Sequence, residues 1–298
     1  MERRPAISMK GMPGRRAGLL EVAREADERG FAGLATFGTH GNLTMCMALA
    51  AATHDIAVWS SIQPIYPLHP HEMAESAAQL HELSGGRFRL GLGVSRVEFM
   101  TDLGYAAGTP LAAARSWITA IREQTPITGA LPPIWLAALR DKMLSLSIEL
   151  ADGVLWAQMP RSHASAMLAK IPAERRANFS VGAMMATIID DDIGAARALL
   201  RSRLLTYLDA SAYRNFFRTA GYDDMVDHVE AVLASGDRDQ LPGCFTDEFL
   251  DDVALVGNPT QIRDRLDEWF DLGVMPICAV SSTRGGQVHA IGELFDLY

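Results

Sequence analysis

Between His69 and Ser95 the chain reads HPHEMAESAAQLHELSGGRFRLGLGVS, and this stretch limits the folds open to it. Pro70 suits the first turn of a helix, where its missing N–H would have no partner anyway. Met73, Ala74, Ala77 and Leu80 then recur at helical spacing as an apolar stripe. Ser84-Gly85-Gly86 breaks the helix. Phe88, Leu90, Leu92 and Val94 follow, alternating with Arg87, Arg89, Gly91 and Gly93, the period-two pattern of a strand. A helix that leads through a short break into a strand is one unit of an alternating α/β fold.

The unit recurs along most of the chain. Strands are predicted at Pro5–Met9, Gly33–Phe37, Ile56–Ile62, Arg87–Val94, Ile134–Leu139, Gly153–Gln158, Phe179–Ile189 and Val274–Ser281. Helices are predicted at about Gly14–Arg29, Thr44–Thr53, from Pro70, Pro110–Gln124, Lys142–Leu150, Ser162–Ile171, from Asp190 to Asp209, Asn258–Gly273 and Val288–Tyr298. Asn258-Pro259-Thr260-Gln261 reads as a capping box with proline at the first helical position. The segment from Ser211 to Leu255 breaks the rhythm and reads as a polar, helical insertion. Eight strands alternating with helices predict a (β/α)8 barrel, a TIM barrel, over residues 1–298 as one domain. The insertion, at about 211–255, precedes the last helix and strand. A doubly wound open sheet is the competing architecture, but Gly11-Met12-Pro13-Gly14 does not supply the GxGxxG turn expected after its first strand.

Composition narrows the function classes. The 298 residues are 49% hydrophobic, ample for a large core, and the net charge is −9 with no long basic run, which argues against a nucleic-acid partner. No apolar stretch reaches the roughly 20 residues needed to span a bilayer, so no membrane partner is expected. The start, MERRPAISMKGMPGRR, has basic residues but no apolar core like that of a signal peptide. Cys46, Cys244 and Cys278 are far apart and odd in number, as in a cytoplasmic protein with reduced thiols. No CxxC, HExxH or clustered His/Cys spacing points to a metal.

Two long segments carry a family likeness. HP..MAESAAQLHELSGGRFRLGLGVS resembles the helix and fourth strand of luciferase-like flavin- and deazaflavin-dependent oxidoreductases. PPIWLAALRDKMLSLSIELADGVL, Pro132 to Leu155, resembles their fifth strand, helix and sixth strand. GFAGLATFGTHG and LVGNPTQIRDRLDEWFDLGV fit as well, in the same order, whereas Ser211 to Leu250 fits poorly. The resemblance implies a bacterial luciferase-like TIM barrel, with coenzyme F420 or FMN at the C-terminal mouth, and is closest to the F420-dependent branch. It implies hydride transfer between the deazaflavin and a small-molecule substrate, with a homodimer as an option. The alternatives are an FMN-dependent monooxygenase and a non-catalytic flavin- or ligand-binding barrel.

The same resemblance distributes roles. His40, ending the second strand, matches a histidine that F420-dependent relatives carry beside the deazaflavin, and imidazole can hydrogen-bond the ring or move a proton near neutral pH. The plainer alternative is a strand-end histidine that caps Gly41-Asn42. Ser61-Ile62 falls where the family has a non-proline cis peptide in its third strand, with Ile62 as backstop to the ring, Ser61 a backbone contact and Gln63 beside them. Leu139, Arg140 and Lys142 open the fifth helix, where backbone N–H groups suit a phosphate. Relatives are Gly-rich there. Arg140 can compensate with a direct ion pair, Asp141 can repel, or the turn can be a plain helix cap. Ala157 and Pro160 replace a hydroxyl and a lysine common after the sixth strand, and Arg161 is the nearest substitute. Arg284 is a further anion candidate. Glu98 would serve as a proton donor only if it lost solvent. Gly91-Leu92-Gly93 reads as a site of close packing rather than a phosphate loop, and Trp59, Trp135 and Trp156 as packing.

Overall fold

The alternation along the strands becomes two separate layers of packing. The computed structural model describes residues 3–38 and 41–298. Nine strands run in chain order: β1 (Ala6–Met9), β2 (Gly33–Thr36), β3 (Ala57–Pro64), β4 (Phe88–Gly93), β5 (Ile134–Ala137), β6 (Gly153–Ala157), β7 (Ser180–Ile189), β8 (Leu255–Gly257) and β9 (Met275–Val280). All pairings are parallel. β1 to β6 pair in sequence, β6 pairs with β7, β7 with β9, and β9 returns to β1 with Ala6 opposite Ile277. Eight strands therefore close a TIM barrel with helices around it.

One side of each strand faces the helices. Ile7, Leu34, Val58, Phe88, Leu90, Leu92, Leu136, Val154 and Cys278 join helix residues such as Leu19, Leu49, Met73, Ile118 and Leu266 in the large outer core. Each fully buried Leu, Ile or Phe there contributes about 1.5–3 kcal/mol of transfer free energy. The other side faces inward, where Ala6, Ala35, Trp59, Trp135, Leu155 and Ile277 form a small second cluster. The Trp59 and Trp135 rings lie 5.4 Å apart. They fill the N-terminal end of the barrel, packed against Gly33 and Gly153, the first residues of β2 and β6. Arg89, Gly91 and Gly93 are the inward positions of β4, so the alternation separates the two layers as predicted.

The 211–255 segment needs one correction. Helices occupy Ser211–Thr219, Asp223–Ser235, Arg238–Cys244 and Asp247–Val253, but Leu255 begins β8. This strand pairs with Thr187–Ile189 of β7, beyond the point where β6 ends opposite Met184. Three residues are too few to show a period, and only the overhang of β7 makes them a strand. A short helix at Val97–Asp102, after β4, is also absent from the sequence reading. The capping box at Asn258 is present, with Asn258 and Gln261 exchanging side-chain and backbone bonds of 3.0 Å.

Candidate functional site

Active sites of such barrels form at the C-terminal ends of the strands, and here the β3–β4 seam is closely built at that end. Register between the two strands shifts between Ser60 and Gln63, and the Ser61–Ile62 peptide within the shift is cis, as expected. Three sets of contacts hold the shift. Ser60 bridges to β4 twice, its hydroxyl donating to the Gly91 carbonyl at 3.0 Å and accepting from the Gly91 N–H at 2.9 Å. Asn42 donates through Nδ2 to the Ile62 carbonyl at 3.3 Å, while Thr36 at the end of β2 donates to Asn42 Oδ1 at 2.6 Å. Glycine then supplies space: a Cβ at position 91 would meet the Ser60 carbonyl oxygen at 2.0 Å, and one at 93 would meet Ile62 Cδ1 at 2.3 Å. The close packing read from Gly91 and Gly93 is thus specific to the Ser60–Ile62 turn. Ser61 and Gln63 are buried, and Gln63 donates to the Pro64 carbonyl at 3.1 Å.

Asn42 was missed in the sequence because the second helix was placed from Thr44. It starts at Asn42, whose buried amide reaches back under the third strand. Cys46, one turn on, has its sulfur 3.0 Å from the Thr36 hydroxyl, and burial pushes its thiol up to about 12. His40, proposed from the resemblance, lies outside the described residues.

The loops after β5 and β6 are built differently. Leu139 is half-buried against the core, whereas Arg140 and Lys142 are exposed at the start of the helix Asp141–Leu150. Arg140 sits at the N-cap in extended backbone, and no side-chain bond caps the helix. Asp141 pairs with Lys170 at 2.5 Å, so its charge is compensated beside the helix start. Arg161 pairs with Glu268 at 3.0 Å, both about half-exposed. Arg284 pairs with Glu293 at 2.7 Å, and His289 reaches the same carboxylate at 3.2 Å. Among the described residues, Arg140 and Lys142 are thus the cations of this group without an ion-pair partner. Glu98 is exposed on its short helix, so the loss of solvent that would make it a proton donor does not occur.

A polar link crosses the rim. Gln158, buried after β6, donates to the Tyr207 hydroxyl at 3.4 Å and accepts from the Ala186 N–H at 3.4 Å. Burial raises the Tyr207 pKa above the ordinary tyrosine value. Arg96, following β4, donates to the Thr206 carbonyl on the same helix at 3.3 Å. Gln158 and Ser95 both have positive φ, 52° and 58°, at the ends of β6 and β4. Non-glycine residues in that region are uncommon and concentrate at functional sites.

The family described as luciferase-like monooxygenase matches residues 6–275 of this sequence. The chain belongs to this family. A Mycobacterium tuberculosis protein named putative coenzyme F420-dependent oxidoreductase is 26% identical, over 92% of this chain and 93% of that protein. Among solved structures, the coenzyme F420-dependent tetrahydromethanopterin reductase of Methanopyrus kandleri superposes with a TM-score of 0.73 at 18% identity, covering 99% of this chain and 97% of that one. An F420-dependent secondary alcohol dehydrogenase, in complex with an F420-acetone adduct, gives 0.74 at 11% identity over 100% and 98%. The two structures share the fold of this luciferase-like chain. No helix among its described residues is long and apolar enough to cross a membrane.

Proposed function

We propose that the chain is an F420-dependent oxidoreductase that moves hydride between the deazaflavin and a small organic substrate. The observation that carries the reading is the β3–β4 seam, where Ser60 and Ile62 take up the space that a side chain at Gly91 or Gly93 would need and the bulged strand is held as a fixed wall. That seam suits a flat ring at the mouth, and the 26% identical mycobacterial relative points to a deazaflavin. Ser61, Ile62 and Gln63 would hold the ring side. Leu139, Arg140 and Lys142 would hold the anionic tail at the helix start, where N–H groups and two cations without an ion-pair partner among the described residues favour a phosphate. Arg161 takes a lesser part, since Glu268 already occupies it. When bound, the deazaflavin supplies the redox chemistry; the protein binds, orients and shields. On the resemblance, His40 hydrogen-bonds the ring or its substrate. Met12 and Phe37, exposed in the loops after β1 and β2, offer apolar contact to a substrate. The enzyme would work in the cytoplasm, in line with three buried free cysteines, without a nucleic-acid partner and with a homodimer as an option.

Fluorescence titration tests it. Reduced F420 is expected to bind more tightly than NADPH, with reduced FMN the nearer competitor. His40→Ala should then slow turnover with little change in stability. Saturable FMN binding without deazaflavin binding would move the reading to a monooxygenase, and binding of neither would leave a non-catalytic barrel.

A further inference from the structure

At the opposite end of the barrel a groove of about 790 Å³ opens between the starts of β4, β5, β6 and β7. Its size lies within the range of small-molecule sites, roughly 300–1,000 Å³. Arg89, Arg122 and Arg176 line it, with His81, Asn178 and Ser180. One carboxylate, Asp152, also lines it, engaged by the Ile134 N–H at 2.9 Å and by Arg122 at 3.3 Å, while the same Arg122 nitrogen donates to the Leu150 carbonyl at 2.9 Å. The groove therefore carries an excess of positive charge on a chain whose net charge is −9.

Arg89 is the telling residue. It is an inward position of β4, half-buried, and its Nη1 donates to the Gly86 and Phe88 carbonyls at 2.9 and 3.1 Å. No carboxylate pairs with it among the described residues, and burial lowers its pKa with no opposing charge. A half-buried guanidinium without a counter-ion is costly, and an arriving anion would offset that cost. Among the described residues Arg176 engages only its Nε, donating to the Ile171 carbonyl at 3.1 Å, which keeps most of its fork free. Guanidinium forks match the oxygens of a phosphate group in pairs.

We propose that this groove binds a small phosphorylated anion, with Arg89, Arg122 and Arg176 taking the phosphate oxygens. The site is separate from the mouth and holds whether or not the cofactor reading does. The groove is large enough for a phosphate on a carrier as well as a free phosphate.

Calorimetric titration of the full chain at constant ionic strength tests this, with inorganic phosphate, pyrophosphate and ribose 5-phosphate as probes. Saturable binding of at least one is expected. Arg176→Ala, an exposed change that leaves the core intact, should weaken it at least fivefold, and Arg89→Gln at least tenfold. Arg140→Ala removes a candidate phosphate contact at the mouth, and should leave the binding component that Arg176→Ala weakens unchanged. Tighter binding of the sugar phosphate than of either inorganic probe assigns a carrier-borne phosphate, and the reverse a free one. Absence of saturable binding overturns the proposal, as does binding that survives Arg176→Ala but is lost in Arg140→Ala.

Discussion

The two halves of the barrel mouth are built to different standards. At the β3–β4 seam the bulged strand is fixed by buried bonds from Ser60, Asn42 and Thr36, and by glycines that admit no side chain. After β5 and β6 the candidate cofactor contacts are arginine and lysine side chains at the surface, paired with neighbours or reaching into solvent. The first half is preorganised: its geometry exists before any ligand arrives, so little conformational entropy is lost on binding. The second half works through charges that salt screens. A ring needs shape, which demands a rigid wall. An anionic tail needs charge, which tolerates mobile side chains. Changes in the seam should therefore cost stability and affinity together, and changes in the loops affinity alone.

The largest effect is expected at Gly91. In Gly91→Ala the new Cβ would fall 2.0 Å from the Ser60 carbonyl oxygen and 2.7 Å from Leu155 Cδ1. The first of these is backbone and cannot swing away. The loss should reach about 3 kcal/mol, the upper part of the usual range for overpacked cores, read from denaturant unfolding. A variant within about 1 kcal/mol of the parent would show that the seam gives way more easily than its contacts imply.

Asn42→Ala comes next. It removes the donor to the half-buried Ile62 carbonyl and the acceptor for Thr36, which is left with its contact to Cys46 alone. About 1–3 kcal/mol of stability should go, together with cofactor affinity, because Ile62 loses the support behind it. Affinity that is unchanged at reduced stability would separate the seam from the ring site.

What the sequence revealed of this contrast follows from the range of each interaction. Period two along β4 set apart the inward Arg89, Gly91 and Gly93 from the outward Phe88, Leu90 and Leu92, because inside and outside differ at every step of a barrel strand. The cap at Asn258 was equally plain, since all its bonds are local. The support of the seam was not, for Asn42 reaches Ile62 across 20 residues and Ser60 reaches Gly91 across 31. The partners of the loop charges are just as distant: Asp141 finds Lys170 across 29 residues, and Arg161 finds Glu268 on another helix. Composition can count such charges but cannot say which are already taken. β8 shows the same limit, being a strand only because β7 overhangs β6.

On the loop side, Arg140→Ala and Lys142→Ala should each weaken cofactor binding a few-fold at low salt and leave unfolding midpoints unchanged, since both side chains are exposed. The difference from the parent should shrink as ionic strength rises, because exposed charges are screened beyond roughly 8 Å at physiological salt. A fluorescence titration at two salt concentrations decides it. A loss that persists undiminished at high salt would mean a buried, directed contact, and the contrast between the halves would fail.

The smallest effect reports on the seam without touching it. Cys46 and Cys278 are both buried with thiols pushed up to about 12, Cys46 beside Thr36 under the bulge and Cys278 in β9. Burial is the main cause for each, and a hydrogen bond to a threonine hydroxyl recovers part of the shift. Both are raised above the ordinary value, so each contributes stability that is present below about pH 9 and lost as pH climbs toward 12. At pH 8 the thiolate, which is the reactive form, is therefore scarce in each. Alkylation should accordingly be very slow in the folded parent. Asn42→Ala should quicken modification of Cys46 while Cys278 keeps its rate, because the change opens the seam and leaves β9 closed. Peptide mapping of the alkylated residues distinguishes the two. Equal acceleration at both would mean that the whole barrel loosens together, and that the Thr36–Asn42–Ile62 links are one part of a uniform core instead of a local brace for the site.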